Sequence, residues 1–186
     1  MCETRYGDWI ETVSGKKFYP LDPHPEDVDI EDIAHALSLI CRFVGHCREF
    51  YSVAQHSVLV SRNLPTELGR WGLLHDAAEA YIGDISRPLK KFIRSGKETI
   101  KDVEIRILGC IGDALGMEMP DGAGWVKIKT IDDRALATEA RDMMVYPKDW
   151  DSLRGVKPFG EKITPISWER SKEEFLKSWR KNDERV

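Results

Sequence analysis

The stretch "WGLLHDAAEAYIGDISRP", residues 71–88, sets His75, Asp76 and Glu79 inside an otherwise apolar, alanine-rich run. A buried carboxylate with no partner is costly enough that it takes a proton, an ion pair or a cation. A hydrogen-bonded His–Asp pair with Glu79 in solvent meets that demand. So does a metal site completed from elsewhere in the chain. "YSVAQHSVLV" supplies His56, three residues after Val53 and four before Val60, on the apolar face of a helix. Alone, such a histidine reads as a satisfied core residue. "TIDDRALATEARDMM" puts Asp132 in line with Leu136 and Met143, while Asp133 lines up equally well with Ala137, Ala140 and Met144. Periodicity leaves the choice between the two aspartates open. Two histidines and two aspartates from three helices form a donor set for a divalent transition metal, with positions left for water or substrate.

The elements that must carry these groups are mostly helical. "DWIETVSGKKFYPLDPHP" fits a short hairpin, with Trp9, Glu11 and Val13 alternating before Ser14-Gly15 and Phe18-Tyr19 after it. From Asp29 the apolar positions Ile30, Ile33, Leu37, Ile40 and Val44 predict an amphipathic helix closing near Gly45. Ser52 caps a second helix through about Asn63, and Thr66 caps a third that runs to Gly83 with Leu68, Trp71, Leu74, Ala78 and Tyr81 as its buried stripe. Pro88 opens a short helix holding Leu89, Phe92 and Ile93, and a longer one is predicted from Glu98 to Leu115. "GMEMPDGAGW" reads as a loop, Thr130 as the cap of a helix stopped at Pro147, and "SWERSKEEFLKSWRKN" as a last helix with Trp168, Phe175, Leu176 and Trp179 on one face. That face either closes the core or meets another subunit. No repeat or shift in composition divides the chain, so residues 1–186 are expected to form one all-α domain with a small N-terminal β-hairpin.

The order His56, then His75-Asp76, then Asp132 resembles the H…HD…D signature of the HD-domain metal-dependent phosphohydrolases. "CRFVGHCREFYSVAQHS", "LLHDAAEAYIGDISRPLK" and "LATEARD" together resemble the bacterial and prophage 5′-deoxynucleotidase branch, with the phage deoxyadenosine-triphosphate hydrolases in or near it. The likeness spans roughly residues 8 to 145 and, more weakly, the final helix. It implies an HD-type helical bundle holding one divalent ion (Mn, Co, Fe, Ni or Zn) on His56, His75, Asp76 and Asp132, with Asp133 outside. It also implies Glu79 as the catalytic acid. Arg42, Lys90 and His46 are then expected to face phosphate, and Asp84 and Phe43 to meet sugar and base. The ordinary readings stand beside these: Arg42 and Lys90 as surface cations, Phe43 as core, Asp84 as a turn former after Gly83. The implied activity is hydrolysis of a deoxynucleotide, as a 5′-deoxynucleotidase or a deoxynucleoside-triphosphate hydrolase, dATP-directed in one form. The rivals are a cyclic-nucleotide phosphodiesterase or oxygenase of the same superfamily, and a non-catalytic nucleotide-binding module. The binuclear branches use further histidines between the HD pair and the last aspartate, and none follows His75 here. His24, between two prolines, and His35, opposite Ile33 and Leu37, are expected in solvent.

Composition narrows the partners. Lysine and arginine total 28 against 32 acids, a formal charge of −4, and no basic stripe marks a polynucleotide footprint. The cysteines, Cys2, Cys41, Cys47 and Cys110, form no C-x-x-C pair and read as free thiols of a reducing compartment. With no apolar run near the ~18 residues of a membrane span and no basic-then-apolar leader, a cytoplasmic location is expected. The resembled enzymes assemble, which implies a homo-oligomer.

Overall fold

The computed structural model describes residues 5–145 and 150–183. Helices build almost all of it. A hairpin, β1 (Ile10–Glu11) with β2 (Lys17–Phe18), precedes α1 (Ile30–Leu39), α2 (Val53–Arg62), α3 (Thr66–Leu74), the single-turn α4 (Glu79–Ile82) and α5 (Arg87–Lys90). A second hairpin, β3 (Arg94–Ser95) with β4 (Glu98–Thr99), leads to α6 (Ile100–Ala114), α7 (Gly122–Met143) and α8 (Trp168–Asp183). Both sheets are two-stranded and antiparallel. Among the described residues no helix is long and apolar enough to cross a membrane.

Side-chain caps explain much of this order, the one at Ser52 as expected. Asp29 accepts from the Glu31 N–H at the start of α1, and Ser52 from the Gln55 N–H at the start of α2. The first hairpin is pinned to α1 because buried Asp32 accepts from the Ser14 N–H (3.0 Å) and hydroxyl (2.7 Å). Phe18, fully buried, stacks on Tyr81 of α4 with ring centroids 3.5 Å apart. The main core joins α1, α2, α3, α6 and α8 through Ile33, Leu37, Val53, Leu74, Ile107 and Phe175. Phe175, Leu176 and Trp179 of α8 therefore close the core, while Trp168 at its start is exposed. A second cluster under α2 and α7 contains Tyr51, Val60, Ala135, Met143 and Phe159.

Several boundaries differ from the periodicity reading, through backbone pairing in some places and side-chain capping in others. α1 ends at Leu39, because the Ile40 carbonyl takes the Val53 N–H and Cys41 pairs with Ser52 as an antiparallel bridge. Val44, expected on the helical stripe, is instead an exposed loop residue. Pro65, not Thr66, occupies the N-cap of α3, and the long third helix is broken after Leu74. Across the break the hydrogen bonds tighten to three-residue steps, Ala77 N–H to Leu74 O (2.8 Å) and Glu79 N–H to Asp76 O (3.0 Å). Thr99, with the Asp102 side chain answering its N–H, makes the capping box of α6, so the segment before it is free to pair as the second hairpin. Finally, Asp121 caps α7 through the Gly124 N–H (2.7 Å), nine residues before the expected cap at Thr130, whose hydroxyl donates within the helix to Val126 O. The helix ends at Met143, and the expected stop at Pro147 lies outside the described residues. His35 also differs from expectation: it is half-buried, edge-on to Trp168 of α8 at 5.7 Å.

Candidate metal centre

α2 and α3 approach unusually closely, and the sequence permits it at Gly72. A Cβ there would overlap Leu64 Cδ1 and lie 3.2 Å from the Ser61 Cα. The Ser61 hydroxyl fastens the same crossing by donating to Gly69 O at 2.7 Å. One turn past Gly72, His75 is thereby brought opposite His56 of α2, with the two Nε2 atoms 3.2 Å apart.

The opposite edge of each ring is already committed. His56 Nδ1 lies 2.5 Å from Glu139 Oε1, and His75 Nδ1 lies 2.8 Å from Gly72 O. A carboxylate and a carbonyl only accept, so each Nδ1 carries the proton and each Nε2 turns its lone pair inward. Two lone pairs 3.2 Å apart repel unless a cation or a proton sits between them. Acidic oxygens surround the gap: Asp132 Oδ1 is 3.3 Å from His56 Nε2 and 3.8 Å from His75 Nε2, and Asp76 Oδ2 is 3.6 and 3.3 Å from the same atoms. His56, His75 and Asp132 each offer a ligand atom, all within 4.8 Å of one another, so the group could hold a metal ion. Neutral imidazoles whose far nitrogen is hydrogen-bonded, facing carboxylates, are the arrangement metal-binding histidines adopt.

Without a metal, protons do the balancing. Burial lowers the basicity of His75, but Asp76 and Asp132 outweigh it and push its pKa up to about 9. Burial alone would raise the Asp132 pKa, yet hydrogen bonds and charge from His56 and His75 hold it well below the usual carboxylate range.

The structure separates the two aspartates that periodicity could not. Asp132 turns Oδ1 to the histidines and Oδ2 to Lys129 Nζ (3.0 Å), whereas Asp133 pairs with Lys129 and, at 3.7 Å, with exposed Arg87.

Glu79, on the first turn of α4, is almost fully buried. Its Oε1 accepts from Lys90 Nζ at 3.1 Å, and its Oε2 is buried with no hydrogen-bond partner. Burial, then the charges of Asp76 and Asp84, push its pKa well above the carboxylate range. Lys90 bridges from Glu79 to Glu104 of α6 at 2.8 Å. Half-buried Asp84 follows Gly83, whose φ of 79° ends α4; burial raises its pKa, and the charge of Asp76 adds to that.

Arg42, expected to meet phosphate, is buried and donates from Nε (3.2 Å) and Nη2 (3.0 Å) to Glu139 Oε2, with Nη1 3.5 Å from Asp76 Oδ2. Half-buried Phe43 lies under its guanidinium at 5.4 Å. His46 is exposed at the end of that loop, and among the described residues no hydrogen bond or ion pair ties its ring to the cluster. Sequence reasoning missed Glu139. Its signal was present: seven residues after Asp132, two helical turns on, it faces the same side of α7.

A helical bundle carrying a His/Asp group that could hold a metal ion is the class of protein these features define. The chain is 40% identical over 149 residues to the uncharacterized protein YfdR of Escherichia coli K12, covering 80% of each chain, and it belongs to the YfdR family. An uncharacterized protein of Rhodobacter capsulatus is 41% identical over 103 residues, 50% of this chain and 53% of that one. No family model matches the chain.

Proposed function

We propose that this protein is an HD-type, metal-dependent phosphohydrolase that acts on deoxynucleotides. The observation that carries the reading is the pair of inward Nε2 atoms 3.2 Å apart, each with its Nδ1 tied back, beside Asp132 and Asp76. His56, His75, Asp76 and Asp132 are the proposed ligands. A divalent ion held by these residues would supply Lewis-acid chemistry for phosphate-ester or anhydride hydrolysis. Glu79 supplies the proton: its buried, unpartnered Oε2 lies one turn beyond the His75-Asp76 pair, and its surroundings favour the protonated form from which a leaving oxygen is protonated. Arg42 and Lys90 bring fixed positive charge to the two sides of the cluster, and phosphoryl transfer depends chiefly on positioning and neutralisation. Asp84 and Phe43 are the proposed sugar and base contacts, and His46 a further phosphate contact. The reading extends to a cytoplasmic homo-oligomer, following the enzymes the sequence resembles.

The test is a screen of deoxy- and ribonucleoside mono-, di- and triphosphates with Mn, Co, Fe, Ni and Zn, products being separated by chromatography. Release of phosphate or polyphosphate from a deoxynucleotide is expected. A metal-loaded preparation that releases neither from any of them overturns the reading.

A further inference from the structure

Glu139 is fully buried, and nothing about its isolated position on α7 demands a charge there. A buried carboxylate persists only where its partners make use of it. Here each oxygen has a separate task. Oε1 takes the Nδ1 proton of His56 at 2.5 Å, and Oε2 takes both Nε and Nη2 of Arg42 at 3.2 and 3.0 Å. The first contact fixes which nitrogen of His56 is left bare. The second holds the Arg42 fork with its remaining nitrogen, Nη1, 3.5 Å from Asp76. One carboxylate thus reaches two of the four proposed ligands: His56 directly at its far nitrogen, and Asp76 through Arg42, whose Nη1 meets the same Oδ2 that faces the histidines.

We infer that Glu139 is a positioning residue of the centre: it selects the His56 tautomer that offers Nε2 to a metal and sets Arg42 against Asp76. The inference rests on the reading of the cluster as a metal centre. It requires two acceptors, and glutamine has one. In Glu139→Gln the amide oxygen can serve His56 or Arg42, but the NH₂ then confronts the other donor. If the NH₂ faces His56, the ring is driven to carry its proton on Nε2, where the metal must bind. Outer partners of metal-bound histidines are worth about 10–100-fold in affinity.

The experiment is a competition titration of the full-length protein with Zn²⁺ against a chelator, alongside thermal unfolding of the metal-free forms. Wild type should bind Zn²⁺, Glu139→Gln should bind about 10–100-fold more weakly, and Glu139→Asp, which keeps both acceptors on a shorter arm, should recover part of the loss. A Glu139→Gln variant that is less stable but binds Zn²⁺ as wild type does overturns the inference while leaving the metal centre standing. A wild type that binds no metal overturns the metal-centre reading, and the inference with it. Should the glutamine variant fail to fold, ¹⁵N NMR of Zn²⁺-loaded wild type decides. A proton on His56 Nδ1 supports the inference, and a proton on Nε2 with metal on Nδ1 overturns it.

Discussion

The two flanks of the centre are built on opposite terms. On the α2/α7 flank, His56, Glu139 and Arg42 are buried and each has close polar partners. On the α4/α5 flank, Glu79 keeps one oxygen buried and unpartnered, Lys90 and Asp84 are only half-buried, and the helices are single turns. A completed network fixes geometry and resists change, whereas an incomplete one keeps polar atoms available to whatever enters. Under the proposed function, one flank would hold the metal and the other would handle the proton.

Breaking the holding flank should have the largest effect. His56→Ala removes an inward nitrogen and leaves Glu139 facing an empty position, so metal affinity is expected to fall by more than the roughly 100-fold that an outer partner costs. Retention of stoichiometric metal in this variant, measured by elemental analysis, would erase the distinction between flanks. On the proton-handling flank, Glu79→Gln should lower turnover on a deoxynucleotide by about 10²–10⁴-fold while metal content stays at the wild-type level. Equal loss of metal and turnover there would move Glu79 to the holding side.

The flanks should also answer pH with opposite signs. Burial would raise Glu139, but Arg42 and His56 bring its pKa below the ordinary value of about 4.3. Its charged form therefore stabilises the fold above that pH, and the contribution is lost as pH falls through the folded value. Glu79 is shifted the other way, so its stabilising contribution is complete below about 4.3 and is lost as pH rises through the folded value. In metal-free protein at neutral pH, Glu139→Gln should lower Tm and Glu79→Gln should raise it. Toward pH 4 both differences should shrink. Shifts of the same sign in the two variants, followed by thermal unfolding across that range, would refute the opposition.

What could be foreseen from sequence follows the same division. His56, His75 and Asp132 stood out because a polar group on an apolar helical stripe is conspicuous, and the cap at Ser52 is local chemistry. Choosing Asp132 over Asp133 needed either the family likeness or the third dimension, since both occupy acceptable faces of α7. Glu139 was on that stripe too, but its value depends on Arg42, 97 residues earlier in the chain, and pattern reading within one helix does not reach so far. The break after Leu74 was hidden for a related reason. Apolar spacing continues through it from Leu74 to Ala78 and Tyr81, while the change occurs in backbone hydrogen bonds and at the His75 ring, which returns to Gly72 O.

The smallest expected effect concerns the loop that carries Arg42. Phe43 and Val44 follow it at φ of 56° and 55°, a left-handed conformation in which a β-branched valine is strained. The strain amounts to about 1–2 kcal/mol per residue, and Val44 is 61% exposed, so its side chain contributes little packing in return. Val44→Gly removes the strain at an added backbone-entropy cost of roughly 0.5–1 kcal/mol. The net gain of up to about 1 kcal/mol should raise Tm by about 2–4 °C for a chain of this length. Because Glu139 and not the loop backbone is the partner that grips the guanidinium, Zn²⁺ affinity should be unchanged. A rise in Tm accompanied by weaker Zn²⁺ binding would instead make the strained backbone a working part of the holding flank, and the contrast between the two flanks would then extend into the loop itself.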